Sequence, residues 1–188
     1  MTKVLMIVLV GLASSGLANA AITAALDGSP TADGPDYLWT YQISVDSLEQ
    51  LVSGPGASFF TVYDFAGYVP GSILAPPDWT AEFSASGPGM TNSTQMPPEP
   101  SFDDLTFVYT GPPSTLDGPL NVTGFSAMST SGNVNVGGTF TYQANNAVGV
   151  DAGIGSIDVP TPEPSMAVLV GLGLMGIGLK RRKELRKS

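Results

Sequence analysis

From Ala21 to Val159 apolar side chains alternate with polar ones in short runs, and clusters of Gly, Pro, Ser, Asn and Asp separate the runs. Alternation puts every second side chain on one face of an extended strand, whereas a helix needs apolar residues every three to four positions. The pattern predicts strands over residues 37–45 (YLWTYQISV), 57–63 (ASFFTVY), 79–85 (WTAEFSA), 105–110 (LTFVYT), 120–128 (LNVTGFSAM), 133–143 (NVNVGGTFTYQ) and 154–159. Gly137-Gly138 marks a bulge inside one of them. The helical candidate is residues 47–52 (SLEQLV), with Asp46 or Ser47 to cap its start and Gly54-Pro55 to end it. Residues 86–100, dense in Gly, Pro, Ser, Thr and Asn, read as a loop.

Short strands at this spacing imply an all-β body with antiparallel sheets, a β-sandwich resembling the immunoglobulin-like or jelly-roll-like kind. Trp39-Thr40-Tyr41-Gln42 and Phe140-Thr141-Tyr142-Gln143 share a form too short to be a repeat, and both read as strands with their rings in the core.

Charge narrows the reading. Of the 7 basic residues only Lys3 precedes Lys180, while of the 16 carboxylates all but Glu184 lie between Asp27 and Glu163. Nucleic-acid binding draws on phosphate neutralisation by Lys and Arg, so a body with neither is excluded from it. No carboxylate of the body has a side-chain cation to pair with, so these groups belong at the surface, in turns or around cations. The absence of Cys and His removes disulfides, the usual zinc sites, thiol nucleophiles and the commonest general base.

The two ends read as addresses. Met1-Thr2-Lys3, the apolar run 4–12 (VLMIVLVGL) and Ala18-Asn19-Ala20 follow the order of a secretory signal peptide, residues 1–20, cut after Ala20 with Ala18 and Ala20 as the small residues of the site. At the other end, residues 166–179 (MAVLVGLGLMGIGL) are apolar and stop at Lys180-Arg181-Arg182-Lys183. A helix of that length rises about 21 Å against a hydrocarbon core of about 30 Å, so this single transmembrane segment is short, and snorkelling bases or a thinned bilayer would have to make up the difference. The basic tail, 180–188, belongs on the cytoplasmic side, which leaves the body outside. Gly171 to Gly176 spells G-x-G-x-x-G, but it lacks the strand, crossover helix and acidic residue of a dinucleotide site.

Residues 160–165 (PTPEPS) stand immediately before the apolar run, and their alternating prolines favour an extended backbone. Pro162-Glu163-Pro164, a Gly-rich apolar segment and a terminal basic cluster together resemble the PEP-CTERM sorting signal. Thr161 stands where Val is common in that family. The resemblance implies recognition by an exosortase, removal of the apolar tail near Pro162-Glu163-Pro164, and an exopolysaccharide-producing Gram-negative source. The alternative is a simple tail anchor on a proline-rich stalk.

Little in the body, residues 21–159, carries chemistry. Asp103, Asp104, Glu82 and Glu99 are the acids a glycosidase would have to draw on, although neighbouring strand acids face opposite ways. Serine hydrolysis lacks a His or Lys base. The loop from Asp27 to Asp36 offers oxygens to calcium without the spacing of an EF-hand, and reads as a solvated turn. Sequons stand at Asn92 and Asn121.

The sequence therefore predicts an exported cell-surface or matrix protein with no enzyme activity and no cofactor. It would be held in the membrane by residues 166–179, processed by an exosortase and structural or adhesive in an exopolysaccharide or biofilm layer. The alternative is a carbohydrate-binding module, or a glycan-active enzyme, stacking sugars on exposed rings among Trp39, Trp79, Tyr63 and Tyr68. Repulsion among unpaired carboxylates is screened by salt, so the melting temperature is expected to rise with sodium chloride and with millimolar calcium. A thermal melt that stays put across these conditions contradicts this reading of the charge.

Overall fold

The computed structural model describes residues 21–84, 104–114, 119–147 and 149–161. Among them the regular elements are strands: β1 (Ile22–Leu26), β2 (Thr31–Asp33), β3 (Asp36–Val45), β4 (Glu49–Gln50), β5 (Phe59–Val62), β6 (Trp79–Ser84), β7 (Asp104–Tyr109), β8 (Leu120–Ser129), β9 (Val134–Asn146) and β10 (Gly149–Pro160). They form two antiparallel sheets.

In the first sheet β3 is central. β8 lies along one side of it, and β1 and β2 share the other. β1 and β2 run the same way against β3, so they are one edge strand interrupted at Gly28-Ser29-Pro30, where Gly28 takes a φ of 84°. A two-residue turn, Gly34-Pro35, joins β2 to β3. Beyond β8, the segment from Tyr68 to Leu74 covers the sheet edge through bonds such as Leu74 N–H to the Ser126 carbonyl, 2.8 Å. The second sheet runs β10-β9-β5-β7-β6, with β4 on the same side of β9 as β5.

The inner faces share one core. Trp39, Tyr41, Ile43 and Val45 alternate inward from β3, and Phe60, Val62, Leu105, Phe107, Phe140 and Tyr142 answer them from the second sheet. Phe125 of β8 crosses between the sheets, its ring centroid 4.9 Å from Phe60, 4.9 Å from Trp79 and 5.1 Å from Phe107. The residue before it, Gly124, is skipped in the pairing with β3, where Tyr41 faces Phe125 and Gln42 faces Thr123. Its φ of 91° suits glycine and makes the bulge that turns Phe125 inward.

Two tyrosines stitch the sheets reciprocally. The Tyr41 hydroxyl, from the first sheet, donates to the Asp158 carbonyl of β10 at 3.1 Å. The Tyr142 hydroxyl, from the second, accepts from the Ala21 N–H at the head of β1 at 3.2 Å. Buried hydroxyls and amides also serve the other face of the second sheet. Thr61 meets Thr106 at 2.9 Å, Tyr63 meets Thr141 at 3.2 Å, and Gln143 donates to the Gly56 and Ala57 carbonyls. Neutral groups thus satisfy one another where ion pairs cannot form.

The strand assignments at 37–45, 57–63, 79–85, 105–110, 120–128, 133–143 and 154–159 each find a strand, with β9 and β10 longer than expected. The bulge falls at Gly137, φ 92°, where Val136 and Gly137 together oppose Asp158. The helix over 47–52 does not form. The Asp46 carboxylate accepts from Leu48 N–H at 3.2 Å, a turn two residues long, and Glu49-Gln50 then pair with Asn146-Asn145. Leu48 points to solvent while Leu51 is buried, so the two do not share a face.

Gly155 lies opposite Phe140 on β10, and a Cβ placed there would run into the Phe140 ring. The ring covers the bare backbone. Gly155→Ala is expected to cost about 1–3 kcal/mol by overpacking, while Ser156→Ala, exposed on the same strand, should stay within about 0.5 kcal/mol. Urea unfolding of the two variants checks the difference.

Candidate functional site

The place where the folded body hands over to its C-terminal segment is built by β9 and β10. Their ladder ends with Val159 opposite Asn135 and Pro160 opposite Val134. Val159 is buried, and Gly138 makes room for it, since a Cβ there would stand 2.6 Å from a Val159 methyl. Pro160, which has no N–H to give a ladder, ends β10, an edge strand of the second sheet, where proline is tolerated. Thr161 carries the attachment one residue further. Its N–H and its hydroxyl both donate to the Asn133 carbonyl, at 2.9 and 3.2 Å.

The segment that receives Thr161 is itself fixed. Asn133 N–H donates to the Ser131 hydroxyl, and Ser131 N–H donates to the Ser129 hydroxyl, which in turn donates to the Ala66 carbonyl at 2.6 Å. The Ser131 carbonyl accepts the Trp39 indole N–H at 3.0 Å. The exit of the chain is therefore tied through residues 129–133 to the buried Trp39. Sequence reasoning has no means of finding this relay, because it consists of ordinary serines brought together by the β8–β9 connection.

The residues proposed to carry sorting, Pro162, Glu163 and Pro164, lie just beyond Thr161 and outside the described residues. So do residues 166–179, Lys180, Arg181, Arg182 and Lys183, and Ala18 and Ala20 of the expected signal peptide. Asp103, Glu99 and Asn92 also fall outside.

Among the described candidates, Glu82 is exposed on β6. Asp104 is buried on β7, and its carboxylate accepts the amide of Asp64, a residue held at φ 58°. Asp104 thereby has a structural task in a left-handed turn. Asp33 and Asp36 face each other across the Gly34-Pro35 turn, and the described residues contain no group of three acids placed to hold a metal ion. Asn121 is exposed on β8, beside a shallow depression of about 160 Å³ lined also by Thr23, Gln42 and Ser44. Ligand pockets are commonly larger, about 300–1,000 Å³.

Of the rings nominated for sugar stacking, Trp39, Trp79 and Tyr63 are buried. Tyr68 is half-buried and stacks on Phe83 with centroids 3.7 Å apart. None of the three buried rings presents a free face to a glycan.

The family model described as the PEP-CTERM protein-sorting motif matches residues 160–183. No curated protein and no solved structure matches the chain. The match starts on the last residue of β10 and runs through Pro162-Glu163-Pro164, the apolar segment and the basic cluster Lys180 to Lys183. By that C-terminal motif, and not by its body, the chain is one that carries the PEP-CTERM sorting signal.

Proposed function

We propose that the protein is a non-enzymatic structural or adhesive component of an exopolysaccharide layer, exported by residues 1–20 and delivered outside the cell by its C-terminal motif. The motif implies an extracellular protein with a transient membrane anchor that an exosortase removes. In this reading residues 166–179 are a transmembrane helix, residues 180–188 remain cytoplasmic, and the body is a β-sandwich.

The observation that carries the proposal is the direct junction between body and motif. Thr161 is still hydrogen-bonded to Asn133, and the sorting tripeptide begins at the next residue. At about 3.3–3.6 Å per residue, the five steps from Thr161 to Met166 reach at most about 18 Å. The body would thus stay close to the bilayer surface until processing. The buried positions of Trp39, Trp79 and Tyr63 favour this reading over a sugar-binding module that stacks glycans on these rings.

The test follows the protein in its host. Wild-type protein should co-sediment with extracellular polysaccharide and lack residues 180–188, whereas a Pro162→Ala, Glu163→Ala, Pro164→Ala variant should remain in the membrane fraction with its tail. Loss of the wild-type protein should lower the cohesion of the polysaccharide layer. Unchanged cohesion together with turnover of a glycan by the purified protein would overturn the structural reading in favour of an enzyme.

A further inference from the structure

At the end of the body where β1 begins and β3 stops, acidic groups gather around a buried main-chain nitrogen. Ala21 is 1% exposed, its N–H donates to the Tyr142 hydroxyl at 3.2 Å, and its carbonyl accepts Asp46 N–H at 2.9 Å. The Asp46 carbonyl in turn accepts Glu49 N–H at 3.1 Å. Glu49 pairs with Asn146 and Asp151 with Ala144, so both stand on the face of the second sheet from which Tyr142 reaches Ala21.

Glu49 is only 7% exposed. One carboxylate oxygen, Oε1, accepts from the Asn146 side-chain amide at 3.2 Å, and the other, Oε2, is buried without a hydrogen-bond partner among the described residues. Burial pushes the Glu49 carboxyl up from its ordinary range, the Asn146 amide draws it back, and Asp151 and Asp46 push it up further. Burial likewise raises the Tyr142 hydroxyl, the Ala21 amide lowers it, and Asp151 and Glu49 raise it again. Among the described residues, none of these groups has a positively charged side chain near it.

We propose that removal of residues 1–20 converts the Ala21 nitrogen into a buried ammonium ion that pairs with Glu49 and closes the acidic cluster of Glu49, Asp151 and Asp46. The proposal rests on cleavage after Ala20. One water hydrolyses the Ala20–Ala21 peptide bond, leaving Ala20 as a carboxylate on the discarded segment and Ala21 as the ammonium. An amide nitrogen has one hydrogen, already given to Tyr142. An ammonium has three, which leaves donors for Glu49 Oε2. No Lys, Arg or His lies between Lys3 and Lys180, so in a body cut at both ends this ammonium is the single cation.

The sign of the linkage then reverses on processing. With an amide at Ala21, the raised Glu49 pKa contributes stability at low pH that is lost as the pH climbs above 4.5, the ordinary value, and through the raised one. With an ammonium there, ionised Glu49 becomes the stabilised form, and the amine is held protonated above its ordinary pKa of about 7.7–8.0. Signal cleavage would in this way favour the folded body at neutral pH only after export.

The test uses the full chain expressed in its host and recovered after export, as wild type, Glu49→Gln and Asp151→Asn. Mass spectrometry first reads the N-terminal residue. Reductive ¹³C-methylation, which keeps the amine's charge, then allows its pKa to be followed by NMR. The expected result is Ala21 as first residue and an α-amine pKa raised by about one unit or more, a tenfold change in its protonation constant, in the wild type. That rise should shrink in Glu49→Gln and in Asp151→Asn. Ala21 first with a pKa at the ordinary value, or a raised pKa that Glu49→Gln leaves unchanged, overturns this proposal alone. A different first residue overturns both it and the cleavage reading.

Discussion

The absence of any basic side chain between Lys3 and Lys180 is the constraint from which the rest of the structure follows. Two sheets that cannot be joined by ion pairs must be joined by apolar burial and by hydrogen bonds between neutral groups. Phe125 does the first, standing among Phe60, Trp79 and Phe107 of the opposite sheet. Aromatic contacts of this geometry contribute about 0.5–1.5 kcal/mol each beyond their buried area. Tyr41 and Tyr142 do the second, each hydroxyl meeting main chain of the other sheet. The described acids sit mostly in turns, at strand ends and on exposed faces, and the buried exceptions, Asp104 and Glu49, are tied to main-chain or side-chain amides.

Much of this architecture is legible in the amino-acid sequence, for a physical reason. Alternation along residues 37–45 forces Trp39, Tyr41, Ile43 and Val45 onto one face, and no other placement buries them together. β1, β2 and β4 escape such a reading because they are short edge pieces. The pattern of β1, ITAAL, is too weakly amphipathic, and β4 has two residues, defined by Asn145 and Asn146 rather than by itself. The expected helix at 47–52 fails for a related reason. Leucines at 48 and 51 satisfy helical spacing, but a carboxylate at 46 can close a two-residue turn at once, and partnering by β9 then rewards the extended chain.

The functional segments divide differently. The sorting motif is legible because it is a linear signal, with tripeptide, apolar run and basic cluster in order, and it needs no tertiary context. The serine relay beneath Thr161 and the acids around Ala21 are not. Glu49 lies far from Tyr142 and Asp151 in sequence, and the three share a face only once β4 and β10 pair with β9. The rings that the sequence nominates in the body for sugar stacking, Trp39, Trp79 and Tyr63, turn out to be buried in it. A body that spends its large rings on its own core, with its chain exit fastened at Thr161, fits the structural role proposed above.

The most direct measurement is the intact mass of the protein recovered from the cell envelope and medium of its host. The account predicts a species that begins at Ala21 and ends near Pro164, with both address segments gone. A species that still carries Lys180 to Ser188 outside the inner membrane's precursor pool, or in place of any shorter form, would contradict it and leave a tail-anchored β domain on a proline-rich stalk.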